Sequence, residues 1–139
     1  YPDRIAAGMA LCGGTSLKDV SGLGRLPFWI IHGTADRAVP VSKSKTVVES
    51  LKRDGNDTRL LYDWLKGANH GAPARIFYLR KTYEWLFSHS LLDKGRPARR
   101  DMTIGLDDLR RAYGDVRRNA GAPELIEGPS VIKGEGHEY

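Results

Sequence analysis

The sequence predicts an α/β fold in which helices flank a parallel sheet. Residues 27–32 (PFWIIH) are apolar up to the final histidine, which is typical of a central parallel strand buried on both faces. Residues 41–53 change to a helical period, and residues 58–65 (TRLLYDWL) return to a strand pattern. With a strand at residues 4–12 and a helix at residues 74–88, the order is strand, strand, helix, strand, helix. This order favours right-handed crossovers between parallel strands.

The first predicted strand, residues 4–12 (RIAAGMALC), ends at two glycines, and a polar loop at residues 15–26 follows it. Cys12 closes the strand and is the single cysteine of the chain, so it cannot form an internal disulfide. Its position at the end of an apolar run favours a buried small side chain over a reactive thiol.

The first predicted helix, residues 41–53, has recognisable signals at both ends. Ser42 is a residue type that caps helix N-termini, and residues 54–56 (DGN) form a stop that tolerates left-handed backbone. The stripe expected to face the core consists of Val47, Val48 and Leu51.

The second predicted helix, residues 74–88, has apolar residues spaced three or four apart. Its expected buried face consists of Ile76, Leu79, Tyr83 and Leu86, widened by Phe77 and Trp85.

Beyond residue 90 the composition changes, so the chain is divided into an α/β part at residues 1–90 and an extension at residues 91–139. The extension begins with a charged linker at 91–102 and continues as a predicted amphipathic helix at 106–118. Acidic residues in its first turn and basic residues in its last turn match the helix dipole. The side chains expected to face the body are Leu106, Leu109, Tyr113 and Val116.

Composition limits the classes of function. The chain has 139 residues, of which 40% are hydrophobic and 28% charged, as expected of one globular domain, and no apolar run approaches the roughly 20 residues that cross a bilayer. The net charge of +5 comes mainly from arginines beyond residue 95 that alternate with aspartates, which is typical of a solvated face. There is neither an aromatic-basic pattern nor zinc-finger spacing, so nucleic-acid binding is disfavoured.

Two turns carry the residues that could take part in catalysis. Asp36 follows the apolar strand in the stretch HGTADRAVP, and His70 follows the next strand in the stretch GANHG. Because the carboxyl ends of parallel strands meet at one edge of a sheet, we expect these two side chains to lie close together. A serine hydrolase needs a histidine base held in one tautomer by a buried carboxylate, and His70 and Asp36 fit these roles.

The third member of such a triad is not found in the sequence. A nucleophilic serine requires a sharp, glycine-flanked strand-to-helix turn, and no Gly-x-Ser-x-Gly occurs in the 139 residues. In such hydrolases the nucleophile comes first along the chain, then the acid, then the base, so with Asp36 and His70 in the last two roles the serine would lie before Tyr1. Both ends of the sequence are interpreted as cuts within a longer protein.

The remaining histidines favour structural roles. His32 ends the buried strand and is expected to satisfy local backbone groups, His89 follows a helix end, and His137 lies in the tail. A metal site formed by His32, Asp36 and His70 is disfavoured because no dense cluster of ligand residues supports it, and no cofactor is predicted.

Residues 1–90 resemble the C-terminal half of an α/β-hydrolase, close to the phospholipase/carboxylesterase and prolyl-oligopeptidase-like esterases. The matching segments are residues 1–4 (YPDR), 12–14 (CGG), 27–33 (PFWIIHG), 39–40 (VP) and 83–86 (YEWL), together with Asp36, Gly67 and His70. The resemblance implies a partial α/β-hydrolase fold consisting of the last three parallel strands. It also implies a serine nucleophile one helix upstream of Tyr1, with the acid at Asp36 and the base at His70.

The predicted function is therefore the acid-and-base half of a serine esterase or peptidase, inactive without its nucleophile. Its partners would be a small ester or peptide substrate and the N-terminal half of the same protein. If the strand at residues 4–12 lacks its neighbour, its apolar edge would also favour self-association. The alternatives are a non-catalytic interaction module on a hydrolase scaffold and a basic domain that binds an anionic partner. The substrate and the cell compartment stay open.

Overall fold

The computed structural model describes residues 1–112, and within them the predicted three-stranded parallel sheet is present. The strands are β1 (Gly8–Leu11), β2 (Phe28–Gly33) and β3 (Leu60–Leu65), arranged in the order β1-β2-β3. Both neighbouring pairs are parallel. This arrangement confirms the predicted α/β class.

Strand β2 is the centre of the fold because both of its faces are covered. On one face, Trp29 and Ile31 pack with residues from the second helical region. On the other face, Ile30 packs with four buried aliphatic residues of the first helix and β3: Val47, Val48, Leu51 and Leu60. Side chains alternate between the faces of a strand, so a run that is apolar throughout supplies both core layers.

The first strand is shorter than predicted. Only Gly8–Leu11 pair with β2, whereas Pro2–Arg4 form a 3₁₀ turn. The loop predicted at residues 15–26 contains a second 3₁₀ turn, Ser21–Arg25.

The first helix, α1 (Val41–Arg53), has the predicted bounds, but its start differs in detail. The residue before the first turn is Pro40, and no side chain caps the helix, so the predicted cap by Ser42 is wrong. The predicted stop is present, since Gly55 adopts a φ of +69° and the Asn56 N–H donates to the Leu51 carbonyl.

The helix predicted at residues 74–88 is divided in two. A 3₁₀ segment, Ala72–Tyr78, is followed by Leu79 in extended conformation and then by α2 (Arg80–Phe87). The division changes which face is buried. Helix α2 buries Thr82 and Trp85, whereas Tyr83 is exposed. Phe77 is also exposed, contrary to the prediction, whereas Ile76 and Leu79 are buried as expected and Leu86 is partly buried.

Three arginines hold the segment after α2 against the sheet. Arg59 reaches from the start of β3, and Arg96 and Arg100 reach from the predicted linker. Their guanidinium groups donate to backbone carbonyls, most of them at the amino ends of the strands: Gly24, Gly95 and Arg96 for Arg59, Pro2, Arg25, Ile5 and Ala6 for Arg96, and Asp57, Thr58 and Leu60 for Arg100. The expected solvated face is therefore wrong for Arg96, which is half-buried, whereas Arg100 is exposed while making its bonds.

Residues 106–112 are helical, and the rest of the helix predicted at 106–118 lies outside the described residues. Ile104, Leu109 and Ala112 belong to the core cluster of Trp29 and Trp85, so this part of the extension packs on the body. The predicted division at residue 90 stays a prediction. Within residues 1–112, no helix has both the length and the apolar character that a membrane span requires.

Candidate active site

The loops after β2 and β3 lie against each other at the carboxyl edge of the sheet. The Thr34 N–H donates to the Leu65 carbonyl and the Ala35 N–H to the Ala68 carbonyl, each at 3.0 Å. In return, the Gly67 N–H donates to Thr34 Oγ1 at 2.8 Å. These bonds join the loop that carries the carboxylate to the loop that carries the imidazole.

Gly33 permits this close approach. A Cβ atom at this position would lie 2.2 Å from the Ala68 carbonyl oxygen, inside any acceptable contact distance. The glycine after the buried strand is therefore required by the neighbouring backbone, and any side chain there would push the His70 loop away.

Asp36 is held by hydrogen bonds to both of its oxygens. Oδ1 accepts the N–H groups of Ala38 and Val39 at 2.9 and 2.8 Å, and Oδ2 accepts from His70 Nδ1 at 2.7 Å. Burial of this side chain opposes ionisation, but the His70 hydrogen bond, the two backbone N–H groups and attraction to His70 outweigh it and lower the Asp36 pKa to about 2. The group is therefore a carboxylate at any neutral pH.

His70 combines a fixed ring with access to solvent. Its Nδ1 bonds to Asp36, while 51% of its side chain is exposed. Because a carboxylate only accepts, Nδ1 carries the hydrogen, and Nε2 of the neutral ring is then the basic nitrogen. The arrangement can take a proton from a hydroxyl group brought to Nε2 and stabilise the resulting imidazolium.

Cys12 lies close to this pair and is buried, as predicted for a small structural side chain. Its S–H donates to the His70 carbonyl at 3.4 Å, and its backbone adopts a left-handed φ of 50°. Burial raises the pKa of the Cys12 thiol, and the Asp36 charge raises it further, although the Gly33 N–H opposes both. Cys12 is thus a protonated thiol whose S–H supports the His70 loop.

Ligand atoms of Cys12, Asp36 and His70 lie within 4.8 Å of one another, the separation at which three residues can share a cation. In the structure Asp36 Oδ2 and His70 Nδ1 bond to each other, so these two atoms could not bind a cation without breaking that hydrogen bond.

His32 makes contacts that the sequence indicated only in part. Nε2 lies 2.8 Å from the Val39 carbonyl, which agrees with the expected local backbone role. It also lies 3.2 Å from Asp36 Oδ2, and Nδ1 lies 2.7 Å from Ser44 Oγ. The one signal for these contacts was a polar residue ending a strand that is otherwise buried.

Comparisons with known proteins agree with this geometry. The family model described as the prolyl oligopeptidase family matches residues 17–92, more than half of the chain and a range that contains both Asp36 and His70. A solved structure described as the crystal structure of a thermostable esterase is similar at a TM-score of 0.54 and 27% identity, over 61% of this chain. No curated protein matches the sequence.

The present chain spans only 24% of that esterase's length. Together the two matches confirm the expected resemblance to an α/β-hydrolase and identify the described sheet as part of that fold. The catalytic roles predicted for Asp36 and His70 stay predictions.

Proposed function

Because the chain belongs to the prolyl oligopeptidase family, we propose that it supplies the acid and the base of a serine hydrolase whose nucleophile lies outside this sequence. Asp36 is the acid and His70 is the base. The observation that carries the proposal is the 2.7 Å contact between His70 Nδ1 and the buried Asp36 carboxylate.

In the proposed reaction His70 Nε2 removes the hydroxyl proton of the serine while the serine oxygen attacks a carboxylic ester or peptide carbonyl. The imidazolium then returns this proton to the departing alcohol or amine, leaving an acyl-serine. Water releases the acid by the same proton transfers in reverse. Asp36 keeps the ring in the Nδ1–H tautomer and stabilises its positive charge.

The nucleophile is assigned elsewhere because the sequence contains no Gly-x-Ser-x-Gly and spans a quarter of the similar esterase. The oxyanion donors would also come from the nucleophile turn and an earlier loop. This chain alone is therefore expected to give no more than background hydrolysis.

The test compares the chain alone with a polypeptide extended upstream to include a glycine-flanked serine. The extended polypeptide is expected to hydrolyse a p-nitrophenyl ester and to be labelled on that serine by a fluorophosphonate, whereas the chain alone does neither. An extended, folded polypeptide that is neither active on ester and peptide substrates nor labelled would favour a non-catalytic interaction module. Binding of the chain to an anionic polymer that weakens with salt would favour the basic-domain alternative, although Arg96 and Arg100 are already bonded to backbone carbonyls.

The partner of β1 is part of the same proposal. Within the described residues β1 pairs only with β2, and an apolar groove of about 440 Å³ lies beside it, lined in part by Ile5, Leu23 and Phe28. We assign this edge to a strand of the segment that carries the nucleophile, because an uncovered apolar edge promotes association.

Light scattering measures the consequence of leaving this edge unpaired. The chain alone is expected to self-associate as its concentration rises, whereas the extended polypeptide is expected to remain monomeric. A chain that stays a clean monomer at high concentration would contradict self-association through β1.

A further inference from the structure

We propose that His32 is a positioning residue that orients the Asp36 carboxylate and, through it, fixes the tautomer of His70. This inference rests on the proposed function, in which the Nδ1–H tautomer leaves Nε2 of His70 free to act as the base. It concerns a buried histidine that takes no part in the proton transfers described above.

The His32 and Asp36 side chains are buried against each other. His32 and Asp36 are both completely buried, and His32 Nε2 lies 3.2 Å from Asp36 Oδ2. The same nitrogen lies 2.8 Å from the Val39 carbonyl. A carboxylate and a carbonyl only accept, so Nε2 must carry a hydrogen and is shared between the two oxygens.

The His32 ring is also anchored at its other nitrogen, Nδ1. His32 Nδ1 lies 2.7 Å from Ser44 Oγ, whose hydroxyl has a single hydrogen that can go to this nitrogen or to the Gly13 carbonyl, also 2.7 Å from Oγ. The imidazole therefore connects the first turn of α1 and the loop that carries Asp36. A side chain held at both ring nitrogens cannot rotate without breaking buried hydrogen bonds.

These contacts affect the position of the Asp36 carboxylate. Oδ1 is bonded to the Ala38 and Val39 N–H groups, and Oδ2 lies between His70 Nδ1 and His32 Nε2. Without the His32 N–H, Oδ2 keeps only the exposed His70 ring, and the Val39 carbonyl loses its donor. The carboxylate is then held by the two backbone N–H groups at Oδ1 and by the exposed ring alone at Oδ2, so Oδ2 is less firmly positioned and its preference for a hydrogen on His70 Nδ1 weakens.

The test reads imidazole tautomers directly, by long-range ¹H–¹⁵N correlation NMR of the labelled 139-residue chain at a pH where His70 is neutral. Wild-type protein is expected to show His32 with a hydrogen on Nε2 and His70 with a hydrogen on Nδ1. His32→Phe is expected to shift the His70 tautomer ratio toward Nε2–H by roughly tenfold, the effect of losing one hydrogen bond to a charged group.

Matched variants separate positioning from general damage. His32→Asn retains a polar group near Ser44 but loses the donor to Asp36, so it should behave like His32→Phe, whereas His32→Gln places an amide N–H near the position of Nε2 and should restore the wild-type ratio. His89→Phe is the control, because His89 is also buried and bonded at both nitrogens, to the Trp85 carbonyl and the Arg99 N–H. It should leave His70 unchanged.

Two outcomes overturn the proposal: a wild-type His32 without a hydrogen on Nε2, or equal His70 tautomers in the Asn and Gln variants. The first is measured on wild-type protein, so it decides the question even if a variant fails to fold. A wild-type His70 with its hydrogen on Nε2 would instead contradict the proposed Asp36–His70 pair. The two failures are therefore distinguishable.

Discussion

Asp36→Asn, introduced into a polypeptide that also contains the nucleophile, is expected to lower kcat by about 10⁴-fold. The carboxylate accepts from His70 Nδ1 and is ionised at any pH well above 2. An amide of the same shape can donate to that nitrogen, so the ring adopts the opposite tautomer and presents N–H to the serine. His70→Ala removes the base itself and is expected to cause a loss of similar size.

The measurement is the steady-state rate with an ester substrate, with folding checked by circular dichroism. Asp54→Asn is the matched control, because Asp54 is exposed at the end of α1 and pairs only with its neighbour Arg53 among the described contacts. It should retain full activity. If a folded Asp36→Asn protein kept kcat within tenfold of wild type, Asp36 would not be the orienting acid.

Trp85→Ala is expected to lower the free energy of unfolding of the chain by about 4 kcal/mol, in the range for deletion of a large buried aromatic. Trp85 is completely buried and makes an edge contact with Trp29 at a centroid distance of 5.2 Å. Its Nε1–H donates to the Arg99 carbonyl at 2.8 Å, so the substitution also removes the donor of a partly buried acceptor. Truncation therefore leaves a cavity and loosens the segment after α2.

Urea denaturation monitored by circular dichroism measures this loss. Phe87→Ala is the control on the same helix, because the Phe87 side chain is large and aromatic but 83% exposed, and it should change the unfolding free energy by less than about 1 kcal/mol. Equal losses in the two variants would mean that Trp85 is not a centre of the core.

The sequence predicted best where a single local signal was sufficient. Residues 27–32 could be recognised as a central strand because a strand covered on both faces, as β2 is, has apolar residues at successive positions. The extent of α1 followed from its helical period and from Gly55, which adopts the left-handed backbone that ends the helix.

Prediction was poorer where distant contacts decide the conformation. Leu79 adopts an extended conformation between the 3₁₀ segment and α2, although its spacing from Ile76 and Tyr83 fits one continuous helix. Thr82 is buried in place of Tyr83 because its hydroxyl donates to the Ile76 carbonyl at 2.6 Å, a contact that hydrophobic periodicity does not record. Arg96 resembles any surface arginine until the carbonyls that it bonds are in place.

The candidate site shows the same distinction. Asp36 and His70 were found because each follows a recognisable strand, and parallel strands bring such turns together. The contact of His32 with Asp36 was not predicted, since it depends on how the loop returns over the strand end. Sequence periodicity carries no information about that path.

The backbone bonds between the Asp36 and His70 loops would limit the ways in which the proposed hydrolase could be regulated. Separating Asp36 from His70 would require breaking the links made by Thr34, Ala35 and Gly67. We therefore expect the two loops to move together. In the proposed hydrolase, a transition between active and resting states that keeps these bonds would alter the distance from the two loops to the serine, and inhibitors of it should be sought at the boundary with the nucleophile segment.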